Sequence, residues 1–115
     1  MDDTPTVYVV QADSNKDLSD AKRFGNLRAV FSNPHKPYNT INMVNKARDV
    51  LDNWLEGDYL LMIGDPVLCA VCMSVVTEVA SSVNVLSWDR VVFQYIPQVW
   101  HFDEQAEFDF NNSDN

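Results

Sequence analysis

Apolar residues fall in short runs separated by polar punctuation, and the spacing within each run predicts its conformation. Thr6–Gln11 is rich in β-branched and aromatic residues and reads as a strand buried on both faces. Asp13–Asp20 is polar and loop-like, and Leu18–Phe24 reads as a short helical turn ended by Gly25. Leu27–Ser32 is a second, weaker strand. Asn33–Tyr38 holds two prolines and is a loop. The clearest helix is Thr40–Leu55, where Ile41, Val44, Ala47 or Arg48, Leu51 and Leu55 recur at the helical period. Asn39 or Thr40 can cap its start, and Gly57 can end it in the left-handed conformation. Asn42, Asn45, Lys46, Asp49, Asp52 and Asn53 form its polar face.

Asp58–Ile63 is a continuous apolar run too short for a helix, and reads as the central strand. In Gly64-Asp65-Pro66 the acid suits an N-cap and the proline suits the first helical position, where a missing N–H does no harm. Val67–Ser81 then reads as a helix apolar nearly all round, a pattern that belongs in an interior. Val83–Trp88 is a strand, Asp89-Arg90 a turn, and Val92–Ile96 the returning arm of a hairpin. Pro97 limits Gln98–Phe102 to a sheet edge or to a strand after a break. A helix between two strands implies a parallel pair joined by a right-handed crossover. The predicted fold class is therefore α/β: a small, mostly parallel sheet with βαβ crossovers, two main helices and an antiparallel C-terminal edge hairpin.

The chain is 115 residues long, which suits one domain over 1–102, followed by an acidic and flexible tail over 103–115. Seventeen acids face eight Lys and Arg, for a net charge of −9. Five of the acids, Asp103, Glu104, Glu107, Asp109 and Asp114, lie in that tail. A negative field repels phosphate backbones and anionic lipid surfaces, so direct nucleic-acid and membrane binding are not expected. It favours solubility, a basic partner, or imitation of a nucleic acid toward a protein that binds one. Gly64, Asp65 and Pro66 interrupt the most apolar stretch, so no membrane span is expected, and the first residues lack the basic character of an export signal.

Candidate chemistry is sparse. The Gly64–Asp65 turn follows the central strand and opens a helix, the place where open α/β sheets bind ligands. A helix cap is the simpler reading, because one glycine is not a phosphate-binding loop and Asp65 brings its own carboxylate. Asp13, Asp65 and Asp89 each follow a strand, and together they could hold Mg²⁺ through oxygen ligands. Cys69 and Cys72 have Cys-x-x-Cys spacing, but Pro66 starts the helix a turn earlier and no second pair exists to complete a zinc site. Reduced core thiols are the reading they favour. His35 and His101 lack the neighbours that define a triad. No catalytic residue, metal ligand or cofactor is assigned. Trp88, Tyr95, Trp100 and Phe102 crowd the last hairpin and form a candidate protein-binding surface, a homodimer included.

Several strings together resemble a family of small tailed-bacteriophage accessory proteins of unknown activity. They are Val7-Tyr8-Val9-Val10-Gln11, then Ala21 with Phe24-Gly25 and Leu27, then Asp58 through Leu68, then Leu86-Ser87-Trp88-Asp89-Arg90 and Tyr95-Ile96-Pro97. Gly64-Asp65-Pro66 and Trp88-Asp89-Arg90 are the most specific parts, and the resemblance spans about residues 6–100. It implies a viral accessory protein made in the host bacterial cytoplasm. The leading expectation is a non-enzymatic protein that binds a host or phage protein, with an acidic, DNA-mimicking inhibitor as one version. A small-molecule or nucleotide-binding enzyme at the Gly64-Asp65-Pro66 turn is a second reading, and a minor virion component a third.

Overall fold

A computed structural model describes residues 3–12, 16–32 and 40–102. The chain runs β1 (Thr6–Gln11), a 3-10 turn η1 (Ser19–Arg23), β2 (Asn26–Phe31), α1 (Thr40–Leu51), β3 (Tyr59–Leu61), α2 (Pro66–Val79), β4 (Ser82–Asp89) and β5 (Gln94–His101). The five strands form one sheet in the order β2-β1-β3-β4-β5. The first four are parallel, and β5 returns antiparallel to β4. This is the α/β class the pattern predicts, with β3 at the centre.

The direction of each crossover decides which face it covers. From β1 the chain steps outward to β2, then back across β1 to β3 and on to β4. Right-handed connections therefore put η1 on one face and both helices on the other. The helical face carries the larger core. Tyr8, Val10, Leu60, Val83 and Val85 pack there against Met43, Ala47 and Leu51 of α1 and Leu68, Cys72, Val75 and Val76 of α2. The opposite face holds Val7, Val9, Leu61, Leu86 and Tyr95 beneath Ala21 of η1, with Leu18 and Phe24 packed alongside. Alternate residues of β1 and β3 thus go to different cores, which is why these strands read as continuous apolar runs.

α1 departs from its expected bounds. It stops at Leu51, and the next residues close a tighter turn in which Trp54 donates to the Leu51 carbonyl at 3.0 Å. The Trp54 indole then stacks on Tyr8, with ring centroids 5.6 Å apart. That burial draws the chain off the helix axis before Leu55, which is left 70 % exposed along with Ile41 at 72 %. The buried stripe is instead Met43, Ala47 and Leu51, at four-residue steps. Gly57, expected as the helix stop, adopts φ +97° further on, in the turn into β3.

α2 meets its expected start. Asp65 accepts the Val67 N–H at 2.7 Å and Pro66 takes the first turn. It is buried along one stripe only, since Val67 and Val79 stay half exposed. β5 runs through Pro97 without a break, because it is the sheet edge where a missing donor is tolerated. The 33–38 loop, the Asn39 cap, His35 and the acidic tail over 103–115 lie outside the described residues.

Candidate functional site

The strand order changes direction between β1 and β3, and in open α/β sheets the crevice beyond the carboxyl ends of such strands is where ligands bind. Gln11, the last residue of β1, occupies it here. Its Oε1 accepts the Asp65 N–H at 2.8 Å, and its side chain lies against Gly64, whose φ is +110°. Asp65 is committed to the α2 cap. The Gly64–Asp65 turn is thus packed by the protein's own amide. Gln11 is the residue the sequence reading passed over; the signal was a lone carboxamide ending an otherwise apolar strand.

The other candidate acids are also placed by local bonds. Asp89 Oδ1 accepts the N–H groups of Val91 and Val92 at 2.8 and 3.2 Å, which shapes the β4–β5 turn. Asp13 lies outside the described residues. Among the described residues no group of three or more His, Cys, Asp or Glu side chains gathers as a metal site requires.

One strand over, the carboxyl ends of β3 and β4 open into a cleft of about 740 Å³. Met62, Ile63, Ser87 and Trp88 form its floor, η1 one wall and the hairpin turn the other. η1 is fastened to β5 by a two-residue clasp. Asp20 Oδ2 accepts the Tyr95 N–H at 2.8 Å, and Arg23 Nη2 donates to the Tyr95 carbonyl, also at 2.8 Å. Asp20 and Arg23 join each other at 3.1 Å. The Tyr95 N–H, with help from the Arg23 guanidinium, holds the Asp20 carboxyl below its ordinary pKa. Asp17 is likewise lowered, chiefly by the Ser19 N–H.

The clasp also closes the sheet edge. Both backbone groups of Tyr95 point away from β4, toward η1. Backbone direction repeats every second residue, so Pro97 also turns its nitrogen outward, where it has no hydrogen to donate. The outer edge of β5 therefore offers no regular ladder to another strand over 95–97.

The aromatic candidates divide between the two faces. Cross-strand partners share a face. Trp88 pairs with Tyr95 on the η1 side, edge to face at a centroid distance of 4.9 Å. Trp100 pairs with Val83 on the helical side and lies 6.4 Å from the ring of Phe102. Trp88, Trp100 and Phe102 are each about 45 % exposed, whereas Tyr95 is buried. The hairpin turn adds a feature the sequence reading did not single out. Val91, Val92 and Phe93 are 85 %, 51 % and 71 % exposed, and Phe93 holds φ +56°.

Cys69 and Cys72 sit on α2 as free thiols. Burial pushes Cys72 up to about 12, with Cys69 adding to the rise. Burial and the Asp65 charge raise Cys69 as well. Such thiols are poor nucleophiles near neutral pH. Alkylation at pH 8 should leave Cys72 unmodified while the fold persists and label Cys69 slowly; mass spectrometry of the folded protein checks this, and rapid double labelling would contradict it.

Fold and site together define a small α/β protein with a doubly wound strand order and an antiparallel edge hairpin, its cleft at the carboxyl ends of the central strands. The chain belongs to the Phage Pam3 gp32-like protein family, whose sequence profile matches residues 5–102. It is thus a bacteriophage protein, as the resemblance in its motifs implied. No curated protein and no solved structure matches it. No helix among the described residues is long and apolar enough to cross a membrane.

Proposed function

We propose that this phage protein is a non-enzymatic accessory factor that binds a host or phage protein in the bacterial cytoplasm, using the β4–β5 hairpin tip. The observation that carries this reading is the run Val91-Val92-Phe93, three consecutive apolar residues exposed at the end of a hairpin. Scattered exposed apolar residues are ordinary, but a contiguous group on a fixed support marks a contact surface. The support is fixed because Asp89 caps the turn and Phe93 donates its N–H to the Asp89 carbonyl at 2.9 Å. Phe93 also holds a left-handed conformation that glycine or asparagine would adopt more easily. An aromatic ring at that position suits a role at the surface rather than in the fold. The net charge of −9 favours a basic rim on the partner, and the blunted β5 edge favours side-chain contact over strand pairing.

Affinity capture from phage-infected cells tests this with three baits: the full chain, a chain ending at Phe102, and Phe93→Asn. The first two should retain one specific partner, and high salt should weaken the complex. Phe93→Asn should lose about tenfold in affinity or more, the scale of an interface anchor, with no loss of stability. A partner lost with the tail, or held equally by Phe93→Asn, would overturn the reading. Recovery of the protein in purified particles instead would assign it to the virion.

A further inference from the structure

We propose a second activity: the cleft at the carboxyl ends of β3 and β4 binds a free nucleoside monophosphate. Its position is the ligand-binding edge of a parallel sheet, displaced one strand from the crevice that Gln11 fills. Its volume of about 740 Å³ lies in the range that accepts a small molecule of this size.

The lining matches the base and the phosphate of such a ligand. Trp88 lies half exposed on the floor and is braced by a T-shaped contact with Tyr95, so its indole is a fixed aromatic group that a base can meet. Phe93, at the mouth, is the second ring. Lys16 stands on the η1 side and Arg90 on the hairpin side. Among the described residues the ion pairs are Arg23–Asp20 and Arg48–Glu78, so neither of these two cations is engaged there. The cleft also holds two ionised acids, Asp17 and Asp20, each fixed by local hydrogen bonds. Asp20 bonds to Arg23 and the Tyr95 N–H, and Asp17 to the Ser19 N–H. Lys16 and Arg90 thus face one cleft with no ion pair among the described residues, and either can make a charge-assisted bond to a phosphate. One phosphate is within reach of two such cations, whereas the overall field repels a polyanionic strand.

The test is titration of the full chain with AMP, GMP, CMP and UMP, followed by the indole N–H resonance of Trp88 and by tryptophan fluorescence. At least one mononucleotide should shift that resonance saturably and quench the emission, and its nucleoside should bind about tenfold more weakly or worse. Lys16→Ala, on an exposed segment, should weaken the nucleotide by about tenfold and leave the capture of a protein partner unchanged. No shift of the Trp88 resonance with any of the four, equal binding by nucleoside and nucleotide, or equal binding by Lys16→Ala would each overturn the proposal. Tighter binding of a single-stranded oligonucleotide would overturn the assignment to a free nucleotide.

Discussion

Gly64→Ala is expected to destabilise the fold by about 3 kcal/mol, measured as the loss of unfolding free energy in urea. Two terms add. The backbone at Gly64 holds φ +110°, a region closed to side-chain-bearing residues at a cost of about 1–3 kcal/mol. A Cβ there would also overlap the Cβ and Oε1 of Gln11, and because a Cβ cannot rotate away, residue 11 as a whole must shift. Moving it breaks the bond to the Asp65 N–H, and an unmade bond of this kind costs about 1–3 kcal/mol. The terms overlap, because the amide shifts only if the backbone holds. Gln11→Gly removes both overlapping atoms, the Cβ included, and keeps the backbone strain at position 64. In that background Gly64→Ala should therefore cost about 1–2 kcal/mol, nearer the backbone term alone. An equal cost in both backgrounds would mean that Gln11 does not fill the crevice.

Asp58→Asn should cost about 2 kcal/mol and Asp58→Ala about 3 kcal/mol in the same measurement. Asp58 is one of two buried polar residues among those described, at 4 % exposure. Its carboxylate ties two segments to β3. Oδ1 accepts the Thr6 N–H at 2.9 Å, at the start of β1, and Oδ2 accepts the Leu55 N–H at 2.8 Å, in the turn after α1. Both partners are donors, so the site needs two acceptor oxygens. Asparagine keeps one oxygen and sets an NH₂ group against the other N–H, whereas alanine leaves both donors unmet. The effect should concentrate at the turn where Trp54 leaves the helix to stack on Tyr8. Hydrogen exchange at Leu55 and Thr6 should therefore accelerate more than exchange in β4. Full stability in Asp58→Asn would show that the carboxylate does not join these segments.

The elements were legible wherever their cause was local. The Asp65 cap bonds two residues away and Asp89 shapes a turn within three, so both are written in adjacent positions. The β1 and β3 runs read as central strands because burial on both faces leaves no polar alternation. α1 was misjudged at one end for a physical reason. Its apolar spacing continues to Leu55, but the helix ends at Leu51 and Trp54 turns in to stack on Tyr8, a contact no local pattern records. The candidate site was legible only in outline. The carboxyl edge of the sheet could be anticipated, yet the residue that fills its switch point could not, because Gln11 and Asp65 are 54 positions apart.

Element order, the parallel core, the antiparallel edge hairpin and the acidic balance were determined by the sequence alone, since propensity, capping and charge act on neighbouring residues or on the sum of all of them. The tertiary structure decided the rest. It chose the order β2-β1-β3-β4-β5, put both helices on one face, divided the aromatic pairs between the two faces, and closed the β5 edge with Asp20 and Arg23 from more than 70 positions away. Each of these depends on which distant groups meet when the apolar faces are buried together. A strand pattern records that a face must be covered, but not by what.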